Sequence, residues 1–374
     1  MNEKIKKIAK NFNFEGELIK IEENKQGNIN RTYILTYKDK DIKKYLLQMI
    51  NVNVFKEPEL VMQNIELITK HLKDKLITTH DNIHKTLNII KTIDNKNMYV
   101  YQDNKELEYY RAFDYIEDCI SYDSFNETNN SLELAYQAGK SFGFFQKLLS
   151  DFPINTLNET ISNFHNTKKR FYDLIDAISS NKTTRAMEVS KEIIYLISKS
   201  KEYSLIVDNL GNTIPIRVTH NDTKLNNILM DKKTNEGIAI IDLDTMMPGS
   251  ILYDLGDGIR SACSNSFEDE TDKDKIYLRL DLTKAYLKGF LEETISFLTD
   301  EEIKYMSLSI KILTYELVLR FLTDYINGDT YFKIKYETHN KDRFFNQYYL
   351  LLDMENKTKE IDDFIMDTVK NLKK

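Results

Sequence analysis

The sequence has no tryptophan, only two cysteines and four prolines, and few glycines for its 374 residues. Cys119 and Cys263 form neither a metal-ligand spacing nor a disulfide framework, so both are expected to be buried apolar thiols. No run of eighteen apolar residues occurs, which leaves no candidate membrane span. Residues 1–8 are charged and lack the apolar stretch of a signal peptide, so a cytoplasmic location is the default expectation. There is also no basic excess. The net charge is −7 with both signs interspersed, which counts against nucleic acid as the main partner. Internal repeats, low-complexity tracts and long linkers are missing as well.

What remains is a chain that is 41% hydrophobic, enough for a sizeable core in one large domain or two lobes. Residues 31–37 and 45–50 are β-branched and aromatic and predict strands, with a turn at 38–41. Leu60, Ile65, Ile68 and Leu72 keep helical spacing over 59–73, and Pro58 stands just ahead, where proline is tolerated. Two more strands are expected at 98–101 and 110–116. Beyond about residue 116 the character changes. A strong helix is expected at 132–149, where Gly139 and Gly143 permit close packing. Helical periodicity continues through much of 159–200. Strand-like segments return only at 216–219, 227–230 and 237–241, and 272–374 is nearly all helical. The pattern predicts an α+β chain with a small β-rich N-terminal lobe, residues 1–113. A large, mostly helical C-terminal lobe, residues 114–374, follows, with the hinge near 113–118.

The informative segment is Val218-Thr219-His220-Asn221-Asp222-Thr223-Lys224-Leu225-Asn226-Asn227-Ile228, followed by Ala239-Ile240-Ile241-Asp242-Leu243-Asp244. A strand delivers His220-x-Asp222, Asn227 opens the next strand, and a second apolar strand ends at Asp242. Phosphoryl transfer needs an aligned hydroxyl, an acceptor for its proton, and one or two Mg²⁺ ions bridging the phosphates. Mg²⁺ takes oxygen ligands, commonly one or two carboxylates from the protein. Asp222 offers the carboxylate for the hydroxyl, while Asn227 and Asp242 offer an amide oxygen and a carboxylate for the metal. Each residue alone is an ordinary turn or strand-end residue; together they match a kinase catalytic and metal motif. His220 is expected to brace the loop rather than to move protons.

The pattern departs from protein kinases. His220-Asn221-Asp222 replaces His-Arg-Asp, Asp242-Leu243-Asp244 lacks the glycine of Asp-Phe-Gly, and no Ala-Pro-Glu follows. The segment resembles instead the aminoglycoside phosphotransferase and choline kinase superfamily of small-molecule kinases. Within it, residues 220–227 and 241–249 are similar to N-acetylhexosamine 1-kinases, as are the blocks at 48–55 and 319–332. That resemblance implies a protein-kinase-like two-lobed fold, Mg²⁺ and ATP. It also implies transfer of the γ-phosphate to the anomeric hydroxyl of N-acetylglucosamine or N-acetylgalactosamine. By matching motif, Asp222 would be the base, Asn227 and Asp242 the Mg²⁺ ligands, and Thr245, Arg320 and Tyr331 the sugar wall. The implied partners are a small-molecule sugar and ATP, not nucleic acid or membrane.

Supporting residues carry two readings each. Gly27, Asn28 and Asn30 sit where a phosphate-covering hairpin belongs, and an ordinary hairpin turn competes with that role. Position favours nucleotide binding. Gln48 occupies the usual place of the phosphate-binding lysine without bringing a charge: either the site manages without it or another cation substitutes. Asp254 and Asp257 are expected to cap a helix or hold the catalytic loop. For Arg320 the bland alternative is an ion pair with Glu316 or Asp324 on its own helix. Another acceptor class (aminoglycoside, choline, homoserine) and a silent nucleotide-binding regulator are the competing functions. The lack of tryptophan disfavours an aromatic cage for choline, although 23 tyrosines remain.

Overall fold

The computed structural model describes residues 2–24, 29–103, 106–125, 128–180 and 182–374. Helix α1 (Asn2–Ala9) leads into strands β1 (Glu17–Asn24), β2 (Arg31–Lys38) and β3 (Ile42–Ile50). Helix α2 (Pro58–Thr78) follows, with Pro58 in its first turn, and then β4 (Ile89–Ile90), β5 (Tyr99–Asp103) and β6 (Glu106–Asp114). These strands form one antiparallel sheet in the order β1-β2-β3-β6-β4, with β5 also on β6. Its alternation is that of a half-buried sheet. Tyr33, Leu35, Tyr45, Leu47, Tyr110 and Ala112 point to one face and close a core with Ile5, Ile8 and Phe12. The opposite face carries the row Thr32, Gln48 and Arg111, which stand opposite one another across β2, β3 and β6.

The chain then leaves the sheet. Strand β7 (Cys119–Ile120) pairs with β9 (Ile228–Asp231), which pairs in turn with β10 (Gly237–Ile240). Between them run α3 (Ser131–Leu148), α4 (Thr167–Ser180), α5 (Ser190–Tyr203), α6 (Leu205–Asn209) and the short strand β8 (Arg217–Thr219). After β10 come β11 (Met247–Gly249), paired with β8, and α7 (Ile251–Ala262). The remainder is α8 (Leu280–Thr294), α9 (Asp300–Lys304), α10 (Met306–Asn327) and α11 (His339–Leu372). The C-terminal part is largely helical, as expected, with Gly328 (φ +92°) ending α10 and a non-helical loop ahead of α11.

This second body holds the larger core. It takes in the buried face of α2 (Val61, Met62, Ile65, Ile68, Leu72) together with Ile50 and Phe113. The boundary between the two cores therefore does not follow residue 113: α2 precedes it in sequence yet packs with the helical part. Cys263 is buried as expected, whereas Cys119 is half-buried on the short strand β7. No helix among the described residues is long and apolar enough to cross a membrane.

Candidate active site

The catalytic segment begins where β8 ends. Asn221 adopts a left-handed backbone (φ +64°), a conformation asparagine tolerates better than most residues. The turn is fastened from beneath by α7. The backbone N–H groups of His220 and Asn221 donate to the two carboxylate oxygens of Asp254, each at 2.8 Å, and Gln146 donates to the same group at 2.6 Å. Asp254 is buried, and burial pushes its pKa up despite these donors. Two residues further on, the amide of Thr223 donates to Asp257 at 3.1 Å. Burial works against the Asp257 carboxylate, but Arg260 and Lys224 outweigh it and hold its pKa below the usual range. His220 is fully buried; its Nε2 meets the Ile241 carbonyl at 2.9 Å, and its Nδ1 accepts from the Asp222 amide at 3.3 Å. Those partners call for a neutral ring with the proton on Nε2, so the ring braces the loop against the metal-side strand.

That strand, β10, ends at Ile241, whose amide donates to the Asn227 carbonyl at 2.9 Å. Asp242 follows in a left-handed turn (φ +60°). The Thr245 hydroxyl donates to the His220 carbonyl at 2.6 Å, and the Asn221 side chain donates to the Thr245 carbonyl at 2.8 Å. The two segments that carry the motif are thus knitted together.

The functional groups converge on this frame. Asn227 Nδ2 donates to the Asp222 carbonyl at 2.8 Å and to its carboxylate at 3.2 Å, while its amide oxygen makes no hydrogen bond with the described residues. Lys224 Nζ lies 2.6 Å from the other Asp222 oxygen. Burial opposes the Lys224 charge, but Asp222 beside it prevails and raises its pKa. The Asp242 carboxylate makes no hydrogen bond or ion pair with the described residues. It opens to solvent on one side and is crowded by protein on the others. Its pKa is pushed up to about 6, first by burial and then by the charges of Asp244 and Asp222, against the pull of Arg111. Surplus negative charge at an unpaired carboxylate is what a divalent cation would relieve. No cluster of three or more His, Cys, Asp or Glu side chains suited to a metal occurs among the described residues. Asn227 and Asp242 could offer an amide oxygen and a carboxylate, a donor pair that suits a cation shared with phosphate oxygens.

Gln48 lies on the same cleft but not alone. Its side-chain oxygen accepts from Arg111 Nε at 3.0 Å and its nitrogen donates to Thr32 at 3.1 Å. Arg111, not singled out from the sequence, is only 2% exposed and forms a two-pronged ion pair with Asp244. Asn30 donates to the same carboxylate at 2.5 Å. An arginine in the apolar run Tyr110-Arg111-Ala112-Phe113 was the signal that could have exposed it. Gly27 and Asn28 lie outside the described residues.

Of the three residues expected on the sugar wall, the structure joins two. Arg320 and Tyr331 line a cavity of about 460 Å³ together with Arg170, Thr323 and Phe332. The ion-pair alternative for Arg320 does not hold. Glu316 is taken by His165 and Thr167, and Asp324 accepts from the amides of Thr330, Tyr331 and Phe332 and from Asn340. The Arg320 guanidinium rests instead over the Phe332 ring, 5.3 Å from its centroid. Thr245 is not on that cavity; its hydroxyl is spent on His220, and it is a tie within the loop. Asp222, Asn227 and Asp242 are not on the lining either. A second cavity, of about 200 Å³, adjoins the catalytic loop and is lined by Lys224, Asn226, Arg260 and Glu268 among others.

A sheet body set on a helical body, with a His-x-Asp loop and an Asp-bearing turn packed together, defines a kinase-like phosphotransferase. The sequence profile of the phosphotransferase enzyme family matches residues 20–278, and the chain belongs to that family. Solved structures share the fold at low identity. An aminoglycoside phosphotransferase from Alicyclobacillus acidocaldarius matches with a TM-score of 0.61 and 9% identity, over 98% of this chain and 96% of that one. An amicoumacin kinase in complex with AMP-PNP, Ca²⁺ and Ami gives 0.58 and 12%, over 97% and 93%. A choline kinase from Cryptosporidium parvum gives 0.53 and 13%, over the whole of both chains.

Proposed function

We propose that this protein transfers the γ-phosphate of ATP to a hydroxyl of a small molecule, with Asp222 as the base. The observation that carries the proposal is the direct contact of Asn227 with Asp222, beside the unpaired, charge-crowded carboxylate of Asp242. Asp222 would orient the attacking hydroxyl and take its proton, while Lys224 keeps the carboxylate placed. Asn227 and Asp242 would hold Mg²⁺, which supplies charge neutralisation on the transferring phosphoryl group. His220, Asp254 and Asp257 act beneath them by holding the loop. Asn30 and Gln48 belong to the nucleotide side of the cleft. The amicoumacin kinase bound to AMP-PNP and Ca²⁺ supports nucleotide and divalent-cation use by this fold.

The acceptor we infer is an N-acetylhexosamine, phosphorylated at its anomeric hydroxyl. Support comes from the motif resemblance and from Arg320, whose guanidinium has no carboxylate partner among the described residues and borders a cavity with Tyr331. A guanidinium fork, hydroxyls and aromatic faces suit a neutral polyhydroxyl molecule. A cationic amino alcohol is the second reading, favoured by Asp173 and Asp176 on the same cavity; Arg170, Lys182 and Arg320 oppose it. An ADP-release screen over hexosamines, neutral hexoses, choline, ethanolamine and aminoglycosides separates the two. Turnover with N-acetylglucosamine or N-acetylgalactosamine but not with amino alcohols is expected. Turnover confined to choline or ethanolamine would reject the sugar assignment.

A further inference from the structure

Gln48 leaves the position of the phosphate-side lysine without a charge, and the structure places a cation on the neighbouring strand. Arg111 stands directly opposite Gln48 in the β3–β6 register. Its Nε donates to Gln48, and both terminal nitrogens donate to Asp244. A lysine at position 48 would confront this guanidinium; glutamine instead offers it an oxygen. Asp244 lies two residues beyond Asp242, within the same turn. Asn30 donates to Asp244, and the Asn30 side-chain oxygen accepts from the Asn51 amide at 3.0 Å, just past the end of β3. One buried carboxylate of the helical body is therefore gripped by two residues of the sheet body, Asn30 ahead of β2 and Arg111 on β6, and Asn30 is itself tied to the residue that follows β3.

We propose that Arg111 is a positioning residue for the metal–nucleotide site, a clasp that fixes the Asp242 turn to the sheet through Asp244. The inference rests on the reading of Asp242 as a metal ligand. The Asp242 backbone is left-handed at a residue that is not glycine, a conformation that persists only when its surroundings over-determine it. The planar guanidinium, bonded at both ends of a carboxylate, fixes direction as well as charge. Without it Asp244 would be a buried anion with Asn30 as its remaining donor among the described residues, free to turn toward the cation assigned to Asn227 and Asp242. The clasp also sets where Asn30 stands, at the rim of the proposed phosphate site.

The test uses the full chain and Mg·AMP-PNP as probe, titrated calorimetrically with Mg²⁺ and with EDTA, beside thermal melts. Arg111→Lys keeps the charge and loses the fork; it should weaken Mg·AMP-PNP binding about tenfold or more and change metal-free binding much less. Asp244→Asn should act in the same direction, and it serves if the Arg111→Lys protein does not fold. The double variant Arg111→Lys/Asp244→Asn should lose little beyond the larger single loss, as expected of one shared contact. Variants that melt earlier but bind Mg·AMP-PNP as the wild type does would reduce the pair to scaffolding and overturn the proposal. Asp242→Ala separates the two levels. If it binds Mg·AMP-PNP normally, the metal-site reading falls and the clasp with it. If it binds poorly while Arg111→Lys binds normally, the clasp alone is wrong.

Discussion

At the scale of single residues, the proposed mechanism divides the site into groups that act and groups that hold. Asp222 belongs to the first kind, and its substitution should touch chemistry more than nucleotide affinity. Asp222→Asn is expected to lower kcat by on the order of 10²–10⁴ with Mg·ATP affinity nearly unchanged. Near-normal turnover by a folded variant, followed by ADP release, would remove the base from the mechanism. Arg320 is tested by Arg320→Lys, which keeps a charge and loses the fork. Loss of a charge-assisted hydrogen bond is worth roughly 1.5–3 kcal/mol, so the acceptor KM should rise about tenfold or more with the ATP KM in place. An unchanged acceptor KM would show that the Arg320–Tyr331 cavity does not receive the acceptor. The sequence made the residues proposed to act legible because the chemistry proposed for them imposes a spacing: a carboxylate, an amide and a second carboxylate returned to one edge by a hairpin. It did not reveal Arg111, whose meaning depends on a cross-strand neighbour and on a carboxylate 133 positions away.

At the scale of elements, pattern carried furthest where one face is buried. Strands β2 and β3 and helices α2 and α3 all fall where their apolar spacing placed them, within a few residues. Strand β1 went unread because it is a sheet edge with half of its residues exposed and none fully buried, so its sequence mixes charged with aliphatic residues and no burial demands more. Helix α1 is too short for periodicity to show, and it is held by burying Ile5 and Ile8 against the sheet. The glycine spacing on α3 had the meaning expected of it. A Cβ on Gly139 would sit 2.0 Å from the Tyr286 carbonyl, and one on Gly143 2.8 Å from that of Phe290, both on α8. The obstacle is backbone, which cannot swing aside. Gly139→Ala should therefore force the helices apart and cost about 1–3 kcal/mol, seen as a lower urea midpoint. A midpoint equal to that of the wild type would mean that α3 and α8 pack less closely than described.

At the scale of the whole molecule, the sheet body and the helical body meet along a cleft whose floor carries more negative charge than it can pair. Asp242, with a pKa near 6, is the clearest sign. Because this folded value lies above the ordinary carboxylate range, the metal-free protein loses stability as pH rises from about 4 through 6. A bound divalent cation favours the ionised form and opposes that loss. The melting shift produced by Mg·AMP-PNP should thus be larger at pH 7.5 than at pH 5, and the difference should shrink in Asp242→Asn. An equal difference in both proteins would assign the pH dependence to the nucleotide alone. The two-body architecture was legible from the change of pattern near residue 116; the allegiance of α2 to the helical core was not, since its apolar face suits either body.

Phosphoryl transfer itself is most directly tested by incubating the wild type and Asp222→Asn with Mg·ATP and N-acetylglucosamine and following both products by ³¹P NMR. The predicted result is ADP and N-acetylhexosamine 1-phosphate in equal amounts from the wild type, with formation slowed by on the order of 10²-fold or more in the variant. Equal rates from the two proteins, or ADP accompanied only by inorganic phosphate, would contradict it.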